Sequence, residues 1–463
     1  MASTYLTKTF AQAGNRRTFT ISYWIKMGQV STGADQAIMG AAQDGSNSDD
    51  LYIHTGRLNF SGYYGSTAYM VRTTAKYRDL SGWYHHVIRF DSTQSTASDR
   101  LRLYVNGELQ TALDNNTYPS QNLETTYFNT ARQHTIGSIA HSPPNLPFNG
   151  SMSHFHFCDG YSYGADSFGE TDTTTGIWKP KTGPSVSYGT NGFFLKFENS
   201  ASMGTDSSGN SNNFTVNGSM TQTIDTPSNV FATFNPLSPS GSTYSNCNND
   251  CSTVSGTYAS RPTTSTLGVS SGKYYTEIKL LAPNTGTPDY SKIGITGRPL
   301  EAVTGAEQYQ HLGSKTYDYA YNSYNGNIMN NTGSSNNGTA YGNTYTTNDI
   351  IGIALDLDNN KLYFSKNGTW QNSGDPTSGA TGTGAVSIVD PTSTSLGAYF
   401  FGVDAYHYTP KYNFSANFGN GYFGTTAVSS AQNPDDGIGI FEYDVPAGYR
   451  ALCTKSINAE EYS

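Results

Sequence analysis

IIGIALDLDNNKLYFSKNGTW, residues Ile350 to Trp370, holds the grammar of the whole chain in 21 residues. Ile351, Ile353, Leu355 and Leu357 alternate with smaller or polar neighbours, the period of a strand with one buried face. Asp358-Asn359-Asn360 then supplies side chains that tolerate left-handed backbone and hydrogen-bond their own turn. A second run, with Leu362 and Phe364 on one side, stops at Asn367-Gly368, the strongest short hairpin signal. The stretch predicts the central meander of a β-sandwich.

An earlier stretch is built alike. WYHHVIRF (Trp83–Phe90) leads through a polar loop to LRLYVNGEL (Leu101–Leu109), where Leu101, Leu103 and Val105 alternate and Asn106-Gly107 closes the run. Two separated copies of strand, turn, strand and Asn-Gly predict two sandwich cores in series. No fixed short period links them, so the chain is not a repeat array.

A length of 463 residues suits two domains with connections. Charged residues make up only 13%, whereas Gly numbers 49 and Tyr 35. Aromatic rings bring large apolar area each, so a modest aliphatic content still fills cores. The polar excess is Ser, Thr, Asn and Gly between strands rather than a charged tract, which sets the chain apart from disordered sequences. A formal charge of −9 argues against nucleic acid as a partner, since that affinity comes from Lys and Arg neutralising phosphates. The apolar runs fall far short of a membrane span, which predicts no membrane insertion. MASTYLTKTFAQAG at the start lacks the apolar stretch of a signal peptide, so export by one is not expected. Four Cys are too few for a disulfide framework, although CNNDC (Cys247–Cys251) leaves a local bridge open.

In chain order, Phe19, Ile21, Tyr23 and Ile25 alternate in RTFTISYWIKMG. Short strands follow at Gln36–Gly40, Leu51–Ile53 and Leu58–Phe60, then at Thr135–Ile139 and Met152–Phe157. FTISYWIKMG, GWYHHVIRFDSTQS with LRLYVNGEL, and TIGSIAHSPPNLPFNGSMSHFHFCDG together resemble a laminin-G or concanavalin A-like jelly roll over residues 1–160. Residues 161–237 carry FGETDTTTGIWKPK, GFFLKFENS and NNFTVNG. They resemble the connector that follows such jelly rolls in tailed-phage virion proteins, and are expected to dock extra strands on the first domain. The Pro-, Ser- and Thr-rich stretch Asp225–Ser242 is the expected crossing point. Over residues 238–463, KYYTEIKL (Lys273–Leu280), the Ile350–Trp370 meander and Asn417-Phe418-Gly419 resemble a SPRY domain, a two-sheet sandwich used for recognition. FEYDVPAGYRALCT (Phe441–Thr454) looks like the end of SPRY-bearing phage structural proteins. The fold class is therefore all-β, two antiparallel β-sandwich (jelly-roll) domains in series.

Glucanases on a jelly roll need two carboxylates facing each other across a sugar. Their alternating acid run on one strand has no counterpart here. Glu170-Thr171-Asp172 lies in a turn-rich region and Glu442-Tyr443-Asp444 near the chain end without a third acid; both read as solvated, so no catalytic residue is assigned. His85 and His86 are neighbours in a strand and point to opposite faces, one packed under the hairpin and one outside. His154 and His156 share a face and read as sheet packing. Asp356–Asn360 lacks the sixth-position Gly and twelfth-position Glu of a calcium loop. DGSNSDD offers more: Asp44, Asp49 and Asp50 could hold Ca²⁺, the one cofactor the sequence suggests.

Thr316–Asn348 is rich in Tyr, Asn, Ser and Gly, the mix that antibody loops use for adaptable contacts. Tyr317, Tyr319 and Tyr321 alternate and read as strand. Tyr324, Asn325, Asn327, Tyr341 and Tyr345 lie where no strand period holds, and are the expected ligand-binding residues, with Tyr offering a face for sugar stacking. Tyr406 and His407, in DAYHY, form a second candidate patch. The expected function is that of a non-enzymatic protein on the exterior of a tailed-phage particle, made in the host cytoplasm. It would be a capsid decoration or knob, or a tail-fibre component. Its expected partners are other virion proteins, a host cell-surface glycan and, as an open option, copies of itself. The alternative is a bacterial secreted or cell-surface lectin or adhesin.

Overall fold

Both Asn-Gly pairs close two-residue hairpins. Asn106 and Gly107 have φ of 49° and 88°, and Asn367 and Gly368 have 49° and 79°. Left-handed backbone at both central positions matches the right-handed twist of the flanking strands. Val105 accordingly pairs with Glu108, and Lys366 with Thr369. The computed structural model describes residues 4–29, 33–140, 145–238, 241–253, 262–283, 291–299, 311–333, 335, 337–405 and 412–462. Among these residues the fold is all-β, built of antiparallel sheets, and Thr454–Glu461 is the single α-helix. The chain divides into two units, Met1–Gln222 and Thr223–Ser463.

In the first unit, an eight-stranded sheet runs Leu113–Thr117, Thr67–Thr73, Arg57–Tyr64, Asn47–His54, Gln36–Asp44, Gln133–Ile136, Tyr5–Thr9, Thr215–Asn217. A six-stranded sheet runs Phe193–Leu195, Gly150–Asp159, Thr18–Met27, Tyr84–Asp91, Leu101–Val105, Glu108–Leu109. One core joins them: Phe19, Ile21, Tyr23, Ile25 and Met27, the alternate residues of one strand, meet Leu51, Ile53, Leu58 and Phe60 from the other sheet. The connector's strands extend this unit, but not as a pair. Phe193–Leu195 lengthens the six-stranded sheet and Thr215–Asn217 the eight-stranded one.

The outer face of the six-stranded sheet is roofed. Val87 and Cys158 pack against Ala165 and Phe168, with Trp178 and Tyr188 alongside. His85 therefore does not lie outside as its strand position suggests. It is fully buried, stacks on Trp24 at 4.7 Å, and accepts a 3.0 Å hydrogen bond from the Trp178 indole. His86 faces the core and meets the Tyr23 hydroxyl at 3.1 Å. A bulge between Ser153 and His156 interrupts the closing strand, and both His154 and His156 border the Phe194 ring.

In the second unit, Lys273–Pro283, Ile350–Asp356 and Lys361–Lys366 are neighbours in one sheet, and Phe400–Ala405, Ser291–Thr296 and Asp318–Asn322 in the other. Ile351, Ile353, Leu355, Leu362 and Phe364 face Ile293, Ile295 and Tyr321 in the shared core. The strand Ile350–Asp356 is buried on both faces rather than one. Its reverse face, with Ala354, Tyr275 and Tyr363, lies under Phe231, Phe441, Tyr449 and Cys453. Gly352 leaves the necessary space, since a Cβ there would stand 2.4 Å from Ser365 Oγ and 2.7 Å from the Tyr275 hydroxyl. The stretch expected as a crossing point contributes here too. Phe231, Ala232 and Phe234 are buried in this unit, and the Ala232 N–H donates to the Leu452 carbonyl.

Candidate functional site

The acidic stretch Asp44–Asp50 is a hairpin turn entering the strand Asn47–His54, and the three expected calcium ligands do not converge. The Asp44 carboxylate accepts from the Ser46 N–H and the Asn47 amide, as turn aspartates do. Asp49 points inward and is fully buried. It accepts from the Tyr64 and Tyr69 hydroxyls (2.5 and 2.7 Å) and from the N–H groups of Tyr127 and Phe128 (2.7 and 2.9 Å). Asp50, one residue on, faces the other side of the sheet and takes the Ser48 hydroxyl. Burial pushes its carboxyl up to about 7, with the Asp49 charge adding to the effect. Among the described residues, no group of three or more His, Cys, Asp or Glu could hold a metal ion.

The Tyr- and Asn-rich region behaves differently from an antibody loop. Tyr319 and Tyr321 are core residues, as their alternation predicts. Tyr345, expected in an exposed loop, is buried, and its hydroxyl donates to the carbonyls of Ser291 and Tyr321. Tyr341 packs on the same core, 5.9 Å from the Tyr321 ring, and its hydroxyl accepts from the Phe364 N–H. Both are corrections to the expected ligand set. Their rings are needed by a core short of aliphatic residues, and their hydroxyls are satisfied by main chain. Asn325 and Asn327 build the turn: the Asn325 side chain accepts from the Asn327 N–H, and the Asn327 amide donates to the Gly338 carbonyl. Tyr324, at the tip, is 48% exposed. Of the expected tyrosines here, it is the most exposed, Tyr341 being partly buried and Tyr345 buried. Tyr406 and His407 lie outside the described residues.

Other buried ionisable groups lie in the second unit, and two of them, Glu277 and Asp318, are held by several partners. Glu277 accepts from the N–H groups of Glu442 and Tyr443, the Asn417 amide and the Tyr275 hydroxyl, tying the chain's last segment to the sheet. Burial pushes its carboxyl up to about 7 despite these four donors. Asp318 holds Arg298 in a buried 2.6 Å ion pair. Burial lowers the Lys292 ammonium, with the Asp404 charge opposing. Cys251 is a free, buried thiol, so it forms no bridge to Cys247.

A shallow depression in the first unit was not legible in the sequence. It has a volume of about 430 Å³ and is lined by Gly14, Asn15, Asp159, Tyr161, Gly189 and Thr190 among others. Asp159 ends the strand Gly150–Asp159 and is 4% exposed. Its Oδ1 accepts from the Asn15 N–H and the Asn129 amide, both at 2.7 Å, and its Oδ2 from the Asn191 N–H at 3.0 Å. Tyr161 stands at the rim, 40% exposed, its ring stacked on Tyr163 at 5.8 Å. These residues come from three separate stretches, so no local motif announces them.

Comparison with known proteins fits this architecture. Residues 2–161 match the laminin-G family described as the concanavalin A-like lectin/glucanases superfamily, and residues 273–388 match the SPRY domain. A Ran-binding proteins 9/10 homolog of Drosophila melanogaster is 33% identical over 99 residues, 21% of this chain and 9% of that protein. Ran-binding protein 9 of Danio rerio is 32% identical over 97 residues, 21% of this chain and 14% of that protein. The chain thus spans a small fraction of the length of these relatives. Among solved structures, the SPRY domain of human HERC1 matches at 17% identity and a TM-score of 0.28, covering 40% of this chain and 96% of that one. A heptameric SAP-like pentraxin from Limulus polyphemus matches at 17% identity and a TM-score of 0.26, covering 34% of this chain and 70% of that one. The chain carries a concanavalin A-like jelly roll in its first third and a SPRY sandwich in its second half, two domains of the binding and recognition kind.

Proposed function

We propose that this protein is a non-enzymatic recognition component of the exterior of a tailed-phage particle, displaying loops toward a host surface or glycan. It would serve as a capsid decoration or knob, or as part of a tail fibre, and its partners would be other virion proteins. The observation that carries the display reading is how the second unit's loops are pegged. Tyrosine hydroxyls reach from the core to loop carbonyls: Tyr321 to Asn343, Tyr399 to Val389, and Tyr449 to Pro376. Loops held in this way present their tips at low entropic cost on binding. The buried acids Asp49 and Glu277 are each saturated by four donors, which supports anchoring rather than proton transfer. The phage assignment draws on the resemblance of all three parts of the chain to tailed-phage surface proteins. A net charge of −9 suits a soluble exterior that does not capture DNA.

Negative-stain imaging of virions with antibody against this chain tests the reading. Label on capsids or tails is expected. Label on bacterial cells but never on particles would replace it with a cell-surface adhesin.

A further inference from the structure

We infer that the second unit carries an intramolecular isopeptide bond, in which the Lys292 amine displaces ammonia from the Asn322 side-chain amide with Asp404 carrying the proton. The inference goes beyond the recognition reading and stands or falls independently of it. Lys292 lies in the strand Ser291–Thr296, directly opposite Asp404 of Phe400–Ala405 on one side and Asn322 of Asp318–Asn322 on the other. Directly opposed residues share a face of the sheet, with Cβ atoms about 5 Å apart. One position along each strand, Ile293, Val403 and Tyr321 turn into the core. The trio therefore faces the other way, the side on which Ala320 joins Leu312 and Met329 in a small apolar cluster. All three side chains are fully buried.

Each group suits its part. Lysine is seldom buried in this way, and here burial lowers the ammonium while the Asp404 charge opposes it. Desolvation favours the neutral amine, which is the nucleophile. The Asn322 Oδ1 accepts from the Tyr324 N–H at 3.2 Å, a donor for the charge that grows on this oxygen when the amide carbon is attacked. Among the described residues, no acceptor meets the Asn322 Nδ2, a buried nitrogen that the reaction would remove. The Asp404 carboxylate is fixed, its Oδ2 accepting from the Leu312 N–H (2.9 Å) and its Oδ1 from the Ala405 N–H (2.7 Å). A bond forms between Lys292 Nζ and Asn322 Cγ, and the bond from Cγ to Nδ2 breaks. Asp404 takes a proton from the attacking nitrogen and delivers it to the departing one. One amine and one primary amide become one secondary amide and one ammonia, so no oxidant or cofactor is required. An ion pair would account for Lys292 and Asp404, but not for the amide set opposite them.

Mass spectrometry of the full chain tests this. The chain is expected to be about 17 Da lighter than its sequence, the mass of one ammonia, and its digest to contain a branched peptide joining residues 292 and 322. Lys292→Met and Asp404→Asn are each expected to show the full mass of their own sequence and no branched peptide, with circular dichroism checking that they fold. A wild-type chain of full mass overturns the inference without recourse to any variant. So does an ammonia loss that maps to a succinimide at an Asn-Gly pair instead of to Lys292 and Asn322. A link that persists in Asp404→Asn overturns the role given to that carboxylate.

Discussion

Asp49 shows how far a single residue can depart from the role its neighbourhood suggests. Set in DGSNSDD it reads as one oxygen donor among several, yet its carboxylate is the buried acceptor for two tyrosine hydroxyls and two backbone N–H groups. Removing it strands four buried donors. Asp49→Ala is therefore expected to destabilise the first unit by about 3–5 kcal/mol, while Asp44→Ala, in an exposed turn, changes stability by about 0.5 kcal/mol or less. Urea unfolding followed by fluorescence measures both, and equal effects would contradict the anchoring role. The tyrosines make the same point in reverse. Tyr341 and Tyr345 sit in a stretch with no strand period, so composition alone places them outside. The core claims them because the ring carries apolar area and the hydroxyl finds a main-chain partner.

At the scale of elements, each sandwich has a covering segment on a sheet face that an isolated sandwich would leave wet. The hairpin Gly169–Thr171 and Trp178–Pro180 brings Trp178 over His85, with a Cβ at Gly169 only 2.4 Å from the indole. Burial beneath this roof pushes His85 down to about 3. Trp178→Ala opens the roof and removes the indole donor. The His85 pKa is then expected to rise toward the ordinary value near 6.5, and the unit to lose about 3 kcal/mol or more. NMR titration of the histidine signals reads the first effect and thermal melting the second. A His85 that stays unprotonated below pH 4 in the variant would show that the hairpin is not what dehydrates it. The faces themselves were legible from alternation. What covered them was not, because a strand's outward residues look the same under water and under a tryptophan.

Across the whole chain, the two units differ in how much stability acid removes. In the first, burial pushes His85 and His86 down to about 3 and His134 to about 4, and lowers His154 and His156 as well. The unfolded chain takes up these protons near pH 6.5 and the folded unit does not, so its stability falls as pH drops from about 6.5 toward 3. Asp49 and Asp50, raised by burial, act the other way but are fewer. The second unit holds one such histidine, His311, pushed down to about 3, and its carboxyls shift both ways: burial raises Glu277, Asp318 and Asp250, while hydrogen bonds lower Asp349, Asp375 and Asp390. The raised acids bind protons in the folded state first and offset the lowered ones, so this unit loses less than the first as pH falls. Limited proteolysis near pH 4 is expected to degrade Met1–Gln222 while Thr223–Ser463 persists as a fragment. Loss of the second unit first, or of both together, would refute the histidine account.

The amino-acid sequence by itself determined the strands, their hairpins and the number of cores. Those follow from side-chain alternation and from the left-handed backbone that Asn106-Gly107 and Asn367-Gly368 adopt, which depend on near neighbours in the chain. Only the tertiary structure decided which tyrosines pack and which are displayed, that Asp49 turns inward and Asp50 outward, and that Asn15, Asp159 and Thr190 share one depression. Such outcomes depend on contacts that reach from 15 positions (Asp49 to Tyr64) through 54 (Tyr345 to Ser291) to 144 (Asn15 to Asp159), and amphipathic side chains such as Tyr and Asn carry no local mark of which environment they will meet.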